Sequence, residues 1–430
     1  MDFPHHNDEE LHVKRESTPP RRSRRGGTGR SIVLLMLIQV SSLAVPLTTM
    51  PFLTRVLGPA AWGHLAAVQA LAVTLAIVVE YGFQYTATRS VSLERDSPLA
   101  LNRIVSEVAT AKLVLSVGTA ILGIVIYLSI PAFHESSQMF IVGVVYAVVI
   151  GWSPLWFFQG MEQLELAAGI DVLSKVASAV WIFLAVKSAD DAVLVVVAQT
   201  VMTGLATVVN LVRVTRTAGH PSLRLRGAFV PLGHGFPMFL YRATVTIYSA
   251  GSTAVLRAMT SSIEAGNYAN ADRLTTAAKS LIVPVGQVMF PKISRLHSED
   301  PQHAKKMMLV SLAVVTLPFA AAGGLGIALG PLLLPWFFGP NYSQTVPIFQ
   351  VLCLTLPLVA ASNVLGIQWM LARGRQAAFN IMVVCAAAAS ILSMAVTVPS
   401  LGGLGMAWSV VIAESLLVLA MGWYTWRVND

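Results

Sequence analysis

Apolar residues in this chain follow neither the helical nor the strand period. They come in blocks of about twenty residues or more, separated by short polar, glycine or proline breaks. About 20 apolar residues, wound as a helix, span the ~30 Å hydrocarbon layer of a membrane. The pattern therefore predicts twelve membrane spans, at 31–56, 61–88, 104–130, 137–158, 166–186, 192–212, 230–258, 263–290, 307–330, 344–371, 376–398 and 402–426. The first two runs meet at a turn made of Leu57-Gly58-Pro59, with a lone Arg55 closing the first run. The same layout returns near Arg257, which ends a run and is followed by a short polar turn and another run. When Gly63–Leu71 is set against Gly266–Leu274, the glycine, the first alanine and the final leucine coincide. This points to a duplicated bundle. The expected fold is an all-α membrane protein of twelve transmembrane helices, in two six-helix lobes around a central cavity. The lobes are 31–217 and 230–430, joined by a cytosolic linker at 218–229.

Composition agrees with this reading. The chain is 55% hydrophobic and 12% charged, against about 25% charged for a soluble domain. Met307 to Ala372 contains no Lys, Arg, Asp or Glu. The placement of charge says more than the net +8. With the N-terminus on the cytosolic side, 21 of the 29 basic residues fall on the inner side and two, Arg55 and Lys187, on outer turns. Excess Lys and Arg mark the cytoplasmic loops, so both termini are expected in the cytosol. Residues 1–30 read as a disordered basic cytosolic arm that sets orientation or touches anionic lipid. Nucleic-acid binding suits such a tethered tail poorly. Cys353 and Cys385 lie in apolar runs and read as small apolar filler.

Charges inside spans are costly, about 2.5–3.5 kcal/mol each on insertion scales, so each needs a wet cavity or a partner. Asp272 and Arg273 fall near mid-span, and Lys279 shares a helical face with Asp272. With Arg257 near the outer end of the preceding span, this hairpin presents three cations against one acid, a surface expected to favour anions. Arg55, Arg257, Arg273, Lys279 and Lys112 are therefore the candidates for holding an anionic headgroup. Asp272, Glu414, Glu80 and Arg89 are the candidates for coupling or gating. Glu414 has no sequence-local partner, and such an isolated intramembrane carboxylate reads either as a proton-coupling group or, more readily, as a structural one. Several charges also have bland readings. Asp171 and Lys175 are spaced to neutralise each other, and Lys112 divides evenly between cavity and partner. Arg242 is placed to snorkel, and Glu80 with Arg89 is as readily a structural pair as a gate. Pro46, Pro51, Pro284 and Pro318 interrupt spans, and Trp152, Trp156, Phe157 and Phe158 read as an interfacial belt. The chain holds no phosphate-binding glycine loop, no metal-ligand spacing and no nucleophile set beside a His and an acid. No catalytic residue, metal or cofactor is expected beyond a coupling ion, H+ or Na+.

Four segments carry a family resemblance: PFLTRVLGPAAWG (51–63), EYGFQYTATRSVS (80–92), WFFQGMEQL (156–164) and NYANADRLTTAAKSLIVPVGQVMFPKISRL (267–296). Together they resemble the polysaccharide biosynthesis flippases, the O-antigen or exopolysaccharide repeat-unit translocases of the MOP superfamily. The resemblance implies an inner-membrane carrier that moves an undecaprenyl-diphosphate-linked oligosaccharide by cation-coupled alternating access. It also implies dealings with membrane lipids, a polysaccharide polymerase and a chain-length regulator. Arg55, Arg89, Asp272 and Arg273 fall in the matched motifs, whereas Lys112 and Glu414 lie outside them. Three alternatives stay open: a multidrug or small-cation antiporter of the same superfamily, a peptidoglycan-precursor flippase, and a membrane polymerase or glycosyltransferase. Deleting Met1–Pro20 while keeping the arginine cluster is expected to leave transport intact, checked by surface polysaccharide.

Overall fold

The computed structural model describes residues 28–224, 229–282, five positions between 286 and 296, and 299–427, with side chains largely from Ala44 onward. The expected arm up to residue 27, the linker residues 225–228, Pro284 and His297 lie outside the described residues. Every regular element described is helical: α1 Thr28–Glu80, α2 Phe83–Glu94, α3 Pro98–Ser129, α4 Ser137–Gly151, α5 Leu155–Gly160, α6 Leu164–Ala185 and α7 Ala192–Ala218. After the linker come α8 Phe229–Tyr248, α9 Ser252–Met259, α10 Ser262–Ser280, α11 Pro301–Phe338, α12 Thr345–Cys353, α13 Thr355–Ser362 and α14 Gln376–Arg427, with a π-helical stretch Asn363–Leu371 following α13. Among the described residues, eight helical segments are long and apolar enough to cross a membrane. Large apolar side chains such as Val117, Leu325, Leu332 and Val396 point outward. A helix apolar all round belongs in hydrocarbon, so this surface reads as the lipid face of a multi-pass bundle.

Backbone chemistry sets the two sharpest breaks. α1 is 53 residues long and non-helical only at Gly58, at φ 72°. A Cβ on Gly58 would meet nothing within 4 Å, so glycine is needed there for its left-handed φ and not for space. α14, 52 residues long, breaks likewise at Gly402, φ 55°. The arm beyond that break is capped from another helix, because the Gly403 N–H donates to Glu264 Oε2 at 2.7 Å. A carboxylate satisfies the free amides and positive dipole of a helix start.

Contacts sort the helix ends into two layers. In one, the Tyr342 hydroxyl donates to the Thr54 carbonyl at 2.9 Å and Arg55 Nη2 to the Trp336 carbonyl at 2.6 Å. Glu264 at Gly403 and Thr345 on Asn267 lie in the same layer. In the other, Asn102 Nδ2 donates to the Ala218 and His220 carbonyls, and the Tyr81 ring stacks on Phe239 at 4.6 Å.

The duplicated glycines meet. A Cβ on Gly266 would stand 3.0 Å from the Gly63 Cα and 3.2 Å from the Pro59 carbonyl oxygen. Helices in lipid gain little from hydrophobic exclusion and associate through small residues that bring backbones together. Around this contact, Trp62 Nε1 donates to Asn270 Oδ1 at 2.8 Å, again joining α1 to α10.

Several details differ from the sequence reading. The first break is narrower than Leu57-Gly58-Pro59, since Pro59 is already helical. The break expected between the spans 307–330 and 344–371 is mostly helix, because α11 continues to Phe338 through Pro331 and Pro335; proline costs less where neighbouring helices satisfy the freed carbonyls. The expected span 344–371 is three pieces with a π-helical end. Trp156, Phe157 and Phe158 form no interfacial belt. They are buried against Phe83, Val91, Leu101 and Val214, and Arg213 lies 4.4 Å over the Phe158 ring.

Gly266→Val is expected to destabilise the protein by about 1–3 kcal/mol through overpacking against backbone, read as a lower melting temperature in detergent. Gly169→Ala, with nothing within 4 Å of the new Cβ, serves as the neutral control.

Candidate functional site

Helical spacing builds the candidate site. On α10, Tyr268, Asp272, Thr276 and Lys279 recur every three or four residues and so share one face. That face lines a cavity of about 330 Å³. Ser249 just past α8, Ser362 and Asn363 where α13 passes into the π-helical stretch, and Val410, Glu414 and Leu417 on α14 complete the wall. π-helical turns often mark functional positions because the extra residue displaces side chains. Here the Asn363 side chain reaches the cavity, with Gln368 Nε2 donating to its Oδ1 at 3.4 Å.

The cavity thus gathers three of the nine candidates: Asp272, Lys279 and Glu414. Two carboxylates face one ammonium, so with all three ionised the wall is net acidic. This corrects the expectation that Arg257, Arg273 and Lys279 share one anion-favouring surface, because the three cations point to different places. Arg273 turns toward α1: its Nη2 donates to Gln69 Oε1 at 2.6 Å, and its guanidinium lies 4.9 Å from the Trp62 ring centroid. Gln69 passes the contact on, its Nε2 donating to Gln199 Oε1 on α7 at 2.9 Å. Arg257 meets Glu135, with Nη2 2.5 Å from Oε1.

The other candidates are placed individually. Lys112 is only 3% exposed, and its Nζ donates to the Gly151 carbonyl at 2.6 Å and the Ser153 carbonyl at 3.3 Å. An ammonium satisfies the free carbonyls where α4 ends, so the sequence ambiguity resolves toward a partner. Glu80 pairs with Arg242 at 2.8 Å and not with Arg89, which is exposed on α2. Arg242 is therefore held in an ion pair, with Nη1 also donating to Gln84 at 2.8 Å. Arg55 is exposed and reaches the Trp336 carbonyl. Asp171 and Lys175 do pair, at 2.9 Å.

Sequence reasoning missed His64, Glu135 and Asn363. His64 stands among the repeat residues, but nothing along the chain signals that Glu135, 71 residues on, comes within 3.3 Å of its Nδ1. Asn363 carried no signal, since nothing in Asn363–Leu371 marks it as π-helical along the sequence.

Comparison with known proteins follows from this geometry. Residues 28–297 match the family described as polysaccharide biosynthesis protein. The chain belongs to that family. Two relatives carry the name "Putative O-antigen transporter". The one from Shigella dysenteriae is 27% identical over 91% of this chain and 98% of its own. The one from Escherichia coli strain K12 is also 27% identical, over 91% and 95%. Among solved structures, the lipid II flippase MurJ in an inward closed conformation superposes with a TM-score of 0.70 at 12% identity, over 92% of this chain and 87% of that one. An inward-facing multidrug resistance MATE transporter gives 0.65 at 14% identity, over 91% and 98%. The family member described here thus has the fold of MOP superfamily transporters.

Lys112→Met is expected to cost about 1–3 kcal/mol, the penalty for buried carbonyls left without a donor. The readout is a lower melting temperature of the purified protein.

Proposed function

We propose that this protein is a flippase that carries an undecaprenyl-diphosphate-linked oligosaccharide, an O-antigen or exopolysaccharide repeat unit, across the cytoplasmic membrane by alternating access. The observation that carries the reading is the Asp272–Lys279–Glu414 cavity in a family member whose O-antigen transporter relatives match along nearly their whole length. The two layers of helix ends support twelve passes, counting each arm of α1 and α14 as one and α12 to the π-helical stretch as one. The charge bias along the sequence places the Glu80 layer in the cytosol, with both termini, and the Gly58 layer outside.

Within this reading the charges divide their work. Arg273 extends from α10 toward α1, between the two halves of the chain, and offers the fork geometry that suits a diphosphate. Asp272, Lys279 and Glu414 form the coupling site, where an acidic wall in a low-dielectric surround attracts H+ or Na+. Binding there moves the bundle only if the ion prefers one conformation, since a ligand shifts an equilibrium by its differential affinity alone.

One observation favours a second reading. The same acidic cavity would suit a small-cation antiporter, with the cation as cargo. Deletion cells separate the two: the flippase reading expects lipid-linked repeat units to accumulate inside, and the antiporter reading expects sensitivity to cationic drugs with normal polymer.

Arg273→Ala and Glu414→Gln are each expected to lower surface polysaccharide at least ~10-fold, the effect of losing about 1.4 kcal/mol, with the protein still at normal levels in the membrane. Unchanged polymer from both variants would remove the assignment.

A further inference from the structure

Two ion pairs tie the half of the chain before residue 218 to the half after 229, one in each layer of helix ends. Glu80 of α1 meets Arg242 of α8 in the layer assigned to the cytosol. Glu135, in the turn between α3 and α4, meets Arg257 of α9 in the layer assigned to the outside. We propose that His64, Glu135 and Arg257 form a releasable latch that holds the outer end shut, and that Glu80–Arg242 is its cytosolic counterpart, opened in alternation. The proposal rests on the carrier reading and deepens it by naming the residues that close each end.

The asymmetry of the outer cluster is what makes it a latch. Arg257 is 5% exposed, and its Nε has no hydrogen-bond partner among the described residues. Its other contact is the Thr260 carbonyl, 3.2 Å from Nη1. The Glu135 side chain is 53% exposed. Separating a buried cation from the acid it pairs with is normally strongly unfavourable, because the charge stays dry and uncompensated. Here the separation is itself the opening of the outer end, so water reaches Arg257 as Glu135 leaves, while Glu135 is already half-solvated. The two states therefore differ by less than a dry rupture, as an alternating equilibrium needs. His64 sits against the same carboxylate, its Nδ1 3.3 Å from Glu135 Oε2, with neither ring nitrogen making a hydrogen bond among the described residues. It follows Gly63, whose backbone touches Gly266. The glycines let α1 and α10 approach closely beside the latch, and the Trp62–Asn270 hydrogen bond crosses the same seam.

The cytosolic pair is built differently but to the same end. Glu80 and Arg242 are both about three-quarters buried. The adjoining Tyr81 holds φ 47°, a conformation uncommon for a bulky residue, with its ring stacked on Phe239. Tyr81 and Gly82, at φ 81°, make the turn between α1 and α2 that sets the pair beside α8.

The test uses the full chain with Cys353→Ala and Cys385→Ala, and a single reporter, Ala269→Cys, one turn along α10 from Gly266 and buried. Intact cells are treated with a membrane-impermeant maleimide. The proposal expects Glu135→Gln to raise labelling about ten-fold, one decade in a two-state equilibrium. It expects Glu80→Gln to lower labelling. The charge swap Glu135→Arg with Arg257→Glu should return labelling toward the parent level, which a merely misfolded variant would not do. Unchanged labelling in Glu135→Gln, or a rise in both single variants alike, overturns the latch. Accessibility is read apart from cargo: a labelling shift alongside normal polymer in deletion cells would sink the flippase reading and leave the latch standing.

Discussion

Ionised side chains in this bundle have nowhere to be solvated except by one another, by free backbone carbonyls or by an internal wet space. That constraint orders the structure. Lys112 finds the carbonyls that a terminating helix leaves unpaired. Glu80, Glu135 and Asp171 each find a cation. Asp272, Lys279 and Glu414 are the group that faces a cavity. Partnered charges in hydrocarbon tie helices together, whether permanently or releasably, and charges gathered around a void can exchange a ligand.

The same constraint explains the architecture around the charges. Every backbone break in lipid must be satisfied locally, and each one here has its device. Gly58 and Gly402 take left-handed conformations that spare a side chain. Glu264 caps the arm beyond Gly402, and Gln368 holds the π-helical stretch, accepting from the Ser311 hydroxyl at 2.8 Å while donating to Asn363. Close backbone approach at Gly63 and Gly266 brings α1 to α10, which lets Arg273 reach Gln69. Close packing of α1 on α10 and the placement of the candidate headgroup residue thus share one contact.

Much of this was legible in the sequence. Block hydrophobicity sets the helical class, and the recurrence of Gly63–Leu71 at Gly266–Leu274 marks the helices whose glycines touch. The face shared by Asp272 and Lys279 follows from spacing along one helix. Partners from other helices were not legible. Arg257 and Arg273 lie sixteen residues apart and look like one basic surface on paper, but Glu135 claims the first and Gln69 with Trp62 the second. Trp156–Phe158 look like an interfacial belt because aromatic residues at a run's end usually are one. Burial by α2, α3 and α7 is a tertiary fact that local composition does not carry. Asn363 was silent for the same reason, since its position depends on a π-helical stretch whose one glycine, Gly366, lies inside an apolar run.

The account stands or falls on whether the Asp272–Lys279–Glu414 cavity is wet while the outer faces of the helices are not. Single cysteines placed at Thr276, Ser362 and Val410, compared with others at Leu325 and Val396, can be reacted in native membranes with a small water-soluble thiol reagent. The account predicts reaction at the three cavity positions and none at the two outward ones. Equal reactivity of both sets, or protection of the cavity set alone, would contradict it.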